Sequence, residues 1–408
     1  MSLYIGIDWS STKHDAAMIN EHGAVIAAFA FPHSPDGFIR LDAERAKSGV
    51  RAEDCLVGIE TAYNLIIDFL WDRSYRQVYI VPPILVKSER QGQRPSGAHT
   101  DQSDAALIAD LVRTKRTLLR LWKPDSALTR QIQASVSHRL FLSQQTVRLQ
   151  NRLCSILGRY YPAALITFSD IQAQIALHFV QAYPTPHAAA ALSFTDFTSF
   201  AQKHGYRRPD HLTNAYARLM RPQPTASPET VDALARQAAQ LAGLLLSTVQ
   251  DKVAVERDLS GLFAKHDDHA TFASLPGVGD FLGPALLAKF GDDRERFPSA
   301  ADVQELAGTC PVTQQSGKRR SVYFRHACDK EFRTIAQQWA RCSIAASPWA
   351  SAYYQQHIAR GHTDSHAYRC LANRWLDIAW TLWQNKTTYD ETHHLTDCQK
   401  RSRPNSTS

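Results

Sequence analysis

None of the chain's seven cysteines are spaced C-x-x-C. That excludes a zinc ribbon and gives no support to a disulfide framework, so the thiols are expected to stay reduced in a cytoplasmic setting. No glycine follows another anywhere in the sequence. An actin-like sugar kinase needs a later glycine-rich loop for its nucleotide, so that reading fails, although Gly6-Ile7-Asp8-Trp9-Ser10-Ser11-Thr12-Lys13 looks like such an enzyme's first phosphate loop. No apolar run is long enough to span a bilayer, and no membrane partner is expected. The chain enters a strand almost at once, so no signal peptide is expected. Internal repeats and extended low-complexity tracts are also missing.

What is present is a globular composition over 408 residues, with 44% hydrophobic and 21% charged residues. That length predicts two or three domains. The net charge of +7 suits a polyanionic partner and says nothing of fold.

Buried strands are predicted at 3–9, 16–20 and 24–31, the last two joined by the turn Glu21-His22-Gly23. A helix over 35–47, a strand at 56–59, a helix over 65–73 and a strand at 77–81 follow. Residues 84–100 are polar, carry Gly92, Pro95 and Gly97, and read as a mobile loop. A helix then runs over 105–115. Three strands followed by alternating helix and strand make an α/β layout. The order matches the ribonuclease-H-like (RuvC) fold, assigned to residues 1–123.

In His99-Thr100-Asp101-Gln102-Ser103-Asp104, two carboxylates lie three positions apart at the start of that helix, hence on one face. Like charges so placed call for a divalent cation. Asp8 ends the first strand and Glu60 ends the run Cys55-Leu56-Val57-Gly58-Ile59. The four acids Asp8, Glu60, Asp101 and Asp104 read as a magnesium site, with manganese as a substitute, suited to phosphodiester chemistry. Any one of them alone would be an ordinary surface charge or a helix cap, as Asp101 could be.

Residues 124–268 read as long helices around an insertion. The first, over 126–161, carries Arg130, Arg139, Arg148, Arg152 and Arg159, which suit either a solvated face or a nucleic-acid surface. The second runs from Pro228 to about Lys265, with Ser227 as candidate N-cap. Together they suggest an antiparallel coiled-coil arm, with a dimerisation strut or a packed bundle as equal alternatives. The proline-punctuated insertion, 162–227, has little periodicity, with short helices at 170–181 and 194–204.

Residues 269–390 read as a third, mostly helical domain. Leu275-Pro276-Gly277-Val278-Gly279 before the helix 281–290 resembles a helix-hairpin-helix, in which N–H groups near Gly277 and Gly279 would hold a DNA phosphate. A plain helix-entry turn is the alternative. A helix over 300–308 leads into a polar basic loop, 310–320. There Lys318, Arg319 and Arg320 suit a scissile phosphate, and Ser316 is either a nucleophile or part of a Ser-Gly turn. Helices over 329–346, 348–360 and 364–384 hold five of the eight tryptophans and form an aromatic-rich core. Residues 391–408 read as a disordered tail.

The chain as a whole resembles the DEDD transposases of the insertion-sequence family one-ten, relatives of the Piv DNA invertases. The resemblance rests on Ile5-Gly6-Ile7-Asp8-Trp9-Ser10, Gly58-Ile59-Glu60-Thr61, Thr100-Asp101-Gln102-Ser103-Asp104-Ala105, Leu275-Pro276-Gly277-Val278-Gly279 and Gln315-Ser316-Gly317-Lys318, in the family's order. It implies a RuvC-like domain, a coiled-coil segment and a C-terminal transposase domain. It further implies that Asp8, Glu60, Asp101 and Asp104 bind magnesium and that Ser316 attacks DNA to form a phosphoserine link. The active site would be composite, with acids and serine from different protomers of a dimer or tetramer. The partners implied are double-stranded DNA, at element ends and target, and a bridge RNA. The chain departs from the family pattern in having His99 where Lys is common, a segment 321–333 without the usual glycines, and a long insertion.

The reading is therefore a mobile-element transposase acting by DNA cleavage and strand exchange in the cytoplasm, at the nucleoid. The alternatives are a RuvC-like metal-dependent nuclease, which leaves the C-terminal domain without a task, and a site-specific invertase. A binding protein without catalysis leaves the four acids unexplained.

Overall fold

The computed structural model describes residues 2–61, 65–93, 101–206, 208–224, 226–317, 319–392 and 395–396. The chain forms two compact units, Met1–Pro124 and Asp125–Ser408.

The first unit is mixed α/β. Its elements in order are β1 (Tyr4–Asp8), β2 (Lys13–Ile19), β3 (Val25–Pro32), α1 (Pro35–Lys47), β4 (Leu56–Ile59), α2 (Leu65–Asp72), β5 (Gln77–Ile80), α3 (Pro83–Gln93), α4 (Asp101–Lys115) and β6 (Arg120–Leu121). The sheet order is β3-β2-β1-β4-β5-β6. β1, β4 and β5 are parallel, and the remaining pairs are antiparallel. Side-chain alternation sends Ile5, Ile7, Val57 and Ile59 to one face, where they pack with Phe38 and Leu41 of α1 and Ile66 and Leu70 of α2. The other face carries Tyr4 and Leu56 and packs on Ile108, Leu111 and Val112 of α4. Burial on both faces explains why these strands read as unbroken apolar runs.

Two expectations change here. The stretch read as a loop from 84 is helical to Gln93, and 94–100 lies outside the described residues. The helix predicted from Ala105 begins at Asp101, so both of its acids lie within it.

The second unit is mostly helical. α5 (Ala127–Tyr160) and α11 (Pro228–Phe263) run antiparallel. Ile132 and Val136 near the start of α5 share a core with Leu259 and Phe263 at the end of α11. Leu153 and Ile156 at the other end of α5 share a core with Ala235 and Ala238. Ser126 caps α5 by accepting from the Thr129 N–H, and Pro228 starts α11. Ser227, expected as a side-chain cap, instead bonds the Thr230 hydroxyl.

The insertion is more ordered than its prolines suggested. It holds α6 (Pro162–Thr167), α7 (Gln174–Ala182), α8 (Pro186–Ala190), α9 (Phe194–Lys203) and α10 (Leu212–Leu219). Phe168, Phe179 and Phe197 pack there against the long helices in one core.

The C-terminal part contains α12 (His269–Ala273), α13 (Gly279–Phe290), α14 (Ala300–Leu306), β7 (Val312–Ser316), β8 (Arg319–Tyr323), α15 (Lys330–Ala346), α16 (Pro348–Ala359) and α17 (Asp364–Asn385). Trp339, Trp375 and Trp383 are fully buried in its core, as the tryptophan distribution predicted. The basic loop expected over 310–320 is instead the hairpin β7–β8. The predicted tail starts with an anchored residue, since Glu391 accepts from the Ser347 hydroxyl and the Trp349 N–H at the start of α16. Residues 397–408 lie outside the described ones. No helix among the described residues is long and apolar enough to cross a membrane.

Candidate active site

Two glycines determine where the acids lie. Gly6 of β1 and Gly58 of β4 pair across the parallel ladder. A Cβ on Gly6 would sit 2.0 Å from the Ala105 carbonyl oxygen and 2.5 Å from the Ala109 nitrogen. One on Gly58 would meet Ile108 and Val112 methyls at 2.7 Å. The sheet therefore has a saddle with no side chains, and α4 rests in it at backbone distance through the buried Ala105 and Ala109. Asp104 immediately precedes Ala105 and is itself buried.

Asp8 is two residues beyond Gly6, and Glu60 two beyond Gly58. Alternation puts all four positions on the α4 face of the sheet. Asp8 and Glu60 therefore stand side by side at the carboxyl ends of adjacent parallel strands, where open α/β sheets place their ligands. Burial pushes the Glu60 carboxyl above the usual carboxylate range, the neighbouring Asp104 charge adds to the push, and Arg90 opposes it. Glu60 and Asp104 are thus close enough to interact, and the ladder register places Asp8 on the same face of the sheet. Asp101 opens α4 one turn before Asp104, but its side chain lies outside the described residues.

Sequence reasoning missed two residues here. Arg90 of α3 donates from Nη2 to Asp104 Oδ2 at 2.6 Å. It lies in the stretch read as a loop, and nothing in the sequence signals the pairing. Asp15 is buried directly opposite Asp8 in the β1–β2 ladder, with Lys13 Nζ 3.4 Å from its carboxylate. The hairpin register would have shown it as a fifth acid on this face.

The second set of predicted residues lies in the other unit. Ser316 ends β7 and pairs with Arg319, while Gln315 pairs with Arg320. Gly317 takes φ +55° in the turn, a conformation that favours glycine. Ser316, Arg319 and Arg320 are all exposed, and Lys318 lies outside the described residues. At the foot of the ribbon, the Phe324 ring packs against the guanidiniums of Arg333 and Arg369, 4.5 and 4.9 Å from its centroid.

At the expected helix-hairpin-helix, Gly277 has φ +76°, and a Cβ there would meet the Cys342 and Ser343 backbone at 2.7 Å. Its close approach is to α15, reinforced by the Trp339 indole donating to the Pro276 carbonyl. Gly279 is exposed at the start of α13, and a Cβ there would have nothing within 4 Å. Among the arginines of α5, Arg139 is structural: it pairs with Glu256 at 2.8 Å and lies 3.6 Å over the Phe281 ring. Arg148, Arg152 and Arg159 are exposed.

Comparison with known proteins gives this geometry a family. Residues 5–162 match the DEDD transposase family of the IS110 type, and residues 269–355 match the family described as transposase IS116/IS110/IS902. The two matches together span more than half of the chain. The chain belongs to the IS110 family of DEDD transposases. It is 27% identical over 405 residues to the mini-circle putative transposase for IS117 of Streptomyces coelicolor, covering 96% of each chain. It is 24% identical over 397 residues to an uncharacterized 43.6 kDa protein of insertion element IS110 from the same species, again covering 96% of each. A protein of insertion element IS116 from Streptomyces clavuligerus is 24% identical over 389 residues, 95% of this chain and 96% of its own. The first family match contains Asp8, Glu60, Asp101 and Asp104, and the second contains Ser316.

Proposed function

We propose that this insertion-sequence transposase cleaves and exchanges DNA strands through a serine–DNA link, using a divalent metal held by Asp8, Glu60, Asp101 and Asp104. The observation that supports the reading is that Asp8, Glu60 and Asp104 share the face of the sheet beside the glycine saddle, with Glu60 and Asp104 close enough to interact. Three carboxylates on one packed face, one of them pushed up by burial and by its neighbour, are a poor arrangement without a cation. Hard oxygen donors suit magnesium or manganese rather than softer ions. The strand order supports a ribonuclease-H-like, RuvC-type assignment for the first unit.

A metal bound there would neutralise charge developing on the phosphodiester. The chain's own residues have separate tasks. Asp8, at the end of a central strand, is a rigid ligand. Glu60 must lose its proton to bind, which makes it the pH-sensitive member. Ser316 Oγ attacks phosphorus, a bond from phosphorus to a deoxyribose oxygen breaks, and the released sugar hydroxyl takes up a proton. Arg319 and Arg320 flank the serine and bind phosphate oxygens. Its exposure on a basic ribbon favours a nucleic-acid surface, with Lys318, Gly277 and Gly279 as further DNA contacts. The acids belong to the first unit and the serine to the second, which is compatible with a composite site in a homo-oligomer. A bridge RNA as guide is part of the proposal and rests on the family alone.

The test uses the full chain, magnesium and element-end DNA, with and without RNA transcribed from the element's flank, analysed on a denaturing gel. A covalent protein–DNA adduct that disappears in Ser316→Ala and in Asp8→Asn is expected. Cleavage that leaves no adduct and survives Ser316→Ala would overturn the serine step and leave a RuvC-like nuclease using water. An adduct that does not depend on added RNA would remove the guide.

A further inference from the structure

A cluster far along the chain from the acids has no part in the reaction above. His357, His362 and His366 gather at the corner where α16 gives way to α17. One nitrogen from each lies within 4.8 Å of the others. The His362 and His366 rings are stacked at 4.3 Å between centroids, and His357 lies 5.4 and 6.2 Å from them.

Local backbone geometry builds this corner. Gly361 takes φ +81° just past the end of α16, its N–H bonds the Ile358 carbonyl, and the His362 N–H bonds back to the His357 carbonyl. That is a glycine-terminated helix end, and it folds His362 back over the last turn. Thr363 then caps α17 by accepting from the His366 N–H. Main-chain hydrogen bonds thus fix the backbone of the corner that carries the three imidazoles.

One observation beyond the clustering points to a ligand: Nδ1 of His357 is shut off from solvent and has no hydrogen-bond partner.

We propose that His357, His362 and His366 form a transition-metal site, for zinc or a similar borderline ion, that clips the corner between α16 and α17. Three imidazoles with an open fourth position suit zinc, cobalt, nickel or copper and reject magnesium. Nitrogens around a tetrahedral zinc lie about 3.3 Å apart. The exposed His362 ring closes the remaining gap by rotating. The site has a mechanical connection: Arg369, 3.4 Å from His366 Nδ1, also lies over Phe324 at the foot of the ribbon bearing Ser316. A metal clip would therefore steady the foot of that ribbon.

The test is cobalt titration of the untagged full chain in excess magnesium, read by visible absorption. One cobalt per chain with the intense bands of a four-coordinate ion is expected. These bands should vanish in His362→Ala, an exposed position, persist in Glu60→Gln, and bleach when zinc is added. X-ray absorption of the zinc-loaded wild type gives a second readout that needs no variant, and should show imidazole scattering from three ligands. Wild type without four-coordinate bands, bands unchanged in His362→Ala, or a zinc spectrum with oxygen ligands alone would each overturn the proposal.

Discussion

Arg90 Nη2 and Asp104 Oδ2 form a 2.6 Å ion pair inside the candidate active site, with the carboxylate side only 11% exposed. Arg90 also opposes the upward push on the Glu60 carboxyl, so its charge acts on two acids at once. A divalent ion bound among the acids meets this charge as repulsion. Arg90→Gln should therefore tighten manganese or magnesium binding by about tenfold, on the order of 1 kcal/mol for a nearby unit charge in a water-like dielectric. The metal-free fold should lose about 1.5–3 kcal/mol, the range for a hydrogen bond to a charged group. Thermal-shift titration with each ion measures both. Weaker binding in the variant would instead assign Arg90 the task of holding Asp104 in place for the ion.

Glu60 should give opposite signs with and without metal. Its folded-state carboxyl titrates above the usual range because of burial, then Asp104. An acid shifted upward binds its proton more tightly folded than unfolded. Its contribution is therefore fully present below the unfolded pKa and is lost as pH rises through the folded one. Metal-free wild type should lose stability relative to Glu60→Gln as pH rises from about 4, the unfolded value, toward neutrality. With magnesium at a hundred times its dissociation constant, wild type should gain about 2.7 kcal/mol by linkage and the variant much less. Melting curves at several pH values, with chelator and with magnesium, check both signs.

The saddle under α4 makes a prediction about two alanines. At Gly6 a new Cβ strikes the helix backbone itself, so α4 must move; at Gly58 it meets two side-chain methyls. Gly6→Ala should cost about 3 kcal/mol or more, and Gly58→Ala about 1–2 kcal/mol. Because α4 carries Asp101 and Asp104, Gly6→Ala should also weaken metal binding, and Gly58→Ala should do so less. Chemical denaturation and manganese titration of the two variants separate the effects. Equal costs would mean that α4 does not rest on the strand backbone.

The same saddle shows what could be read from the sequence. β1 and β4 were legible because burial on both faces leaves a continuous apolar run, and Asp8 and Glu60 are conspicuous where those runs end. The reason for Gly6 and Gly58 was hidden, because it depends on which helix crosses them. The β7–β8 ribbon gave no strand signal, since nearly all its side chains are exposed and no apolar alternation marks a buried face. In the insertion, one proline read as a breaker is a helix start: Pro186 opens α8, which Thr185 caps. Arg90 and the histidine corner depend on side chains that meet only once the helices are placed.

A last prediction concerns the base of the second unit, where the start of α5 meets the end of α13. Asp292 accepts from the Ser126 N–H at 2.5 Å and the Thr129 hydroxyl at 2.7 Å, with His266 Nε2 at 3.1 Å. Burial pushes this carboxyl up, but the hydrogen bonds from His266, Thr129 and Ser126 outweigh it and hold it well below the usual range. An acid shifted downward contributes stability above its unfolded pKa and loses it as pH falls toward the folded value. Asp292→Asn should therefore be less stable than wild type at pH 7, and the difference should shrink below about pH 4, the unfolded carboxylate value. Thr129→Val removes one donor from a fully buried position and should cost about 1–3 kcal/mol at pH 7. Denaturant titrations at pH 7 and pH 3 test this. A penalty for Asp292→Asn that stays constant down to pH 3 would mean that shape, and not the carboxylate charge, is what the network uses.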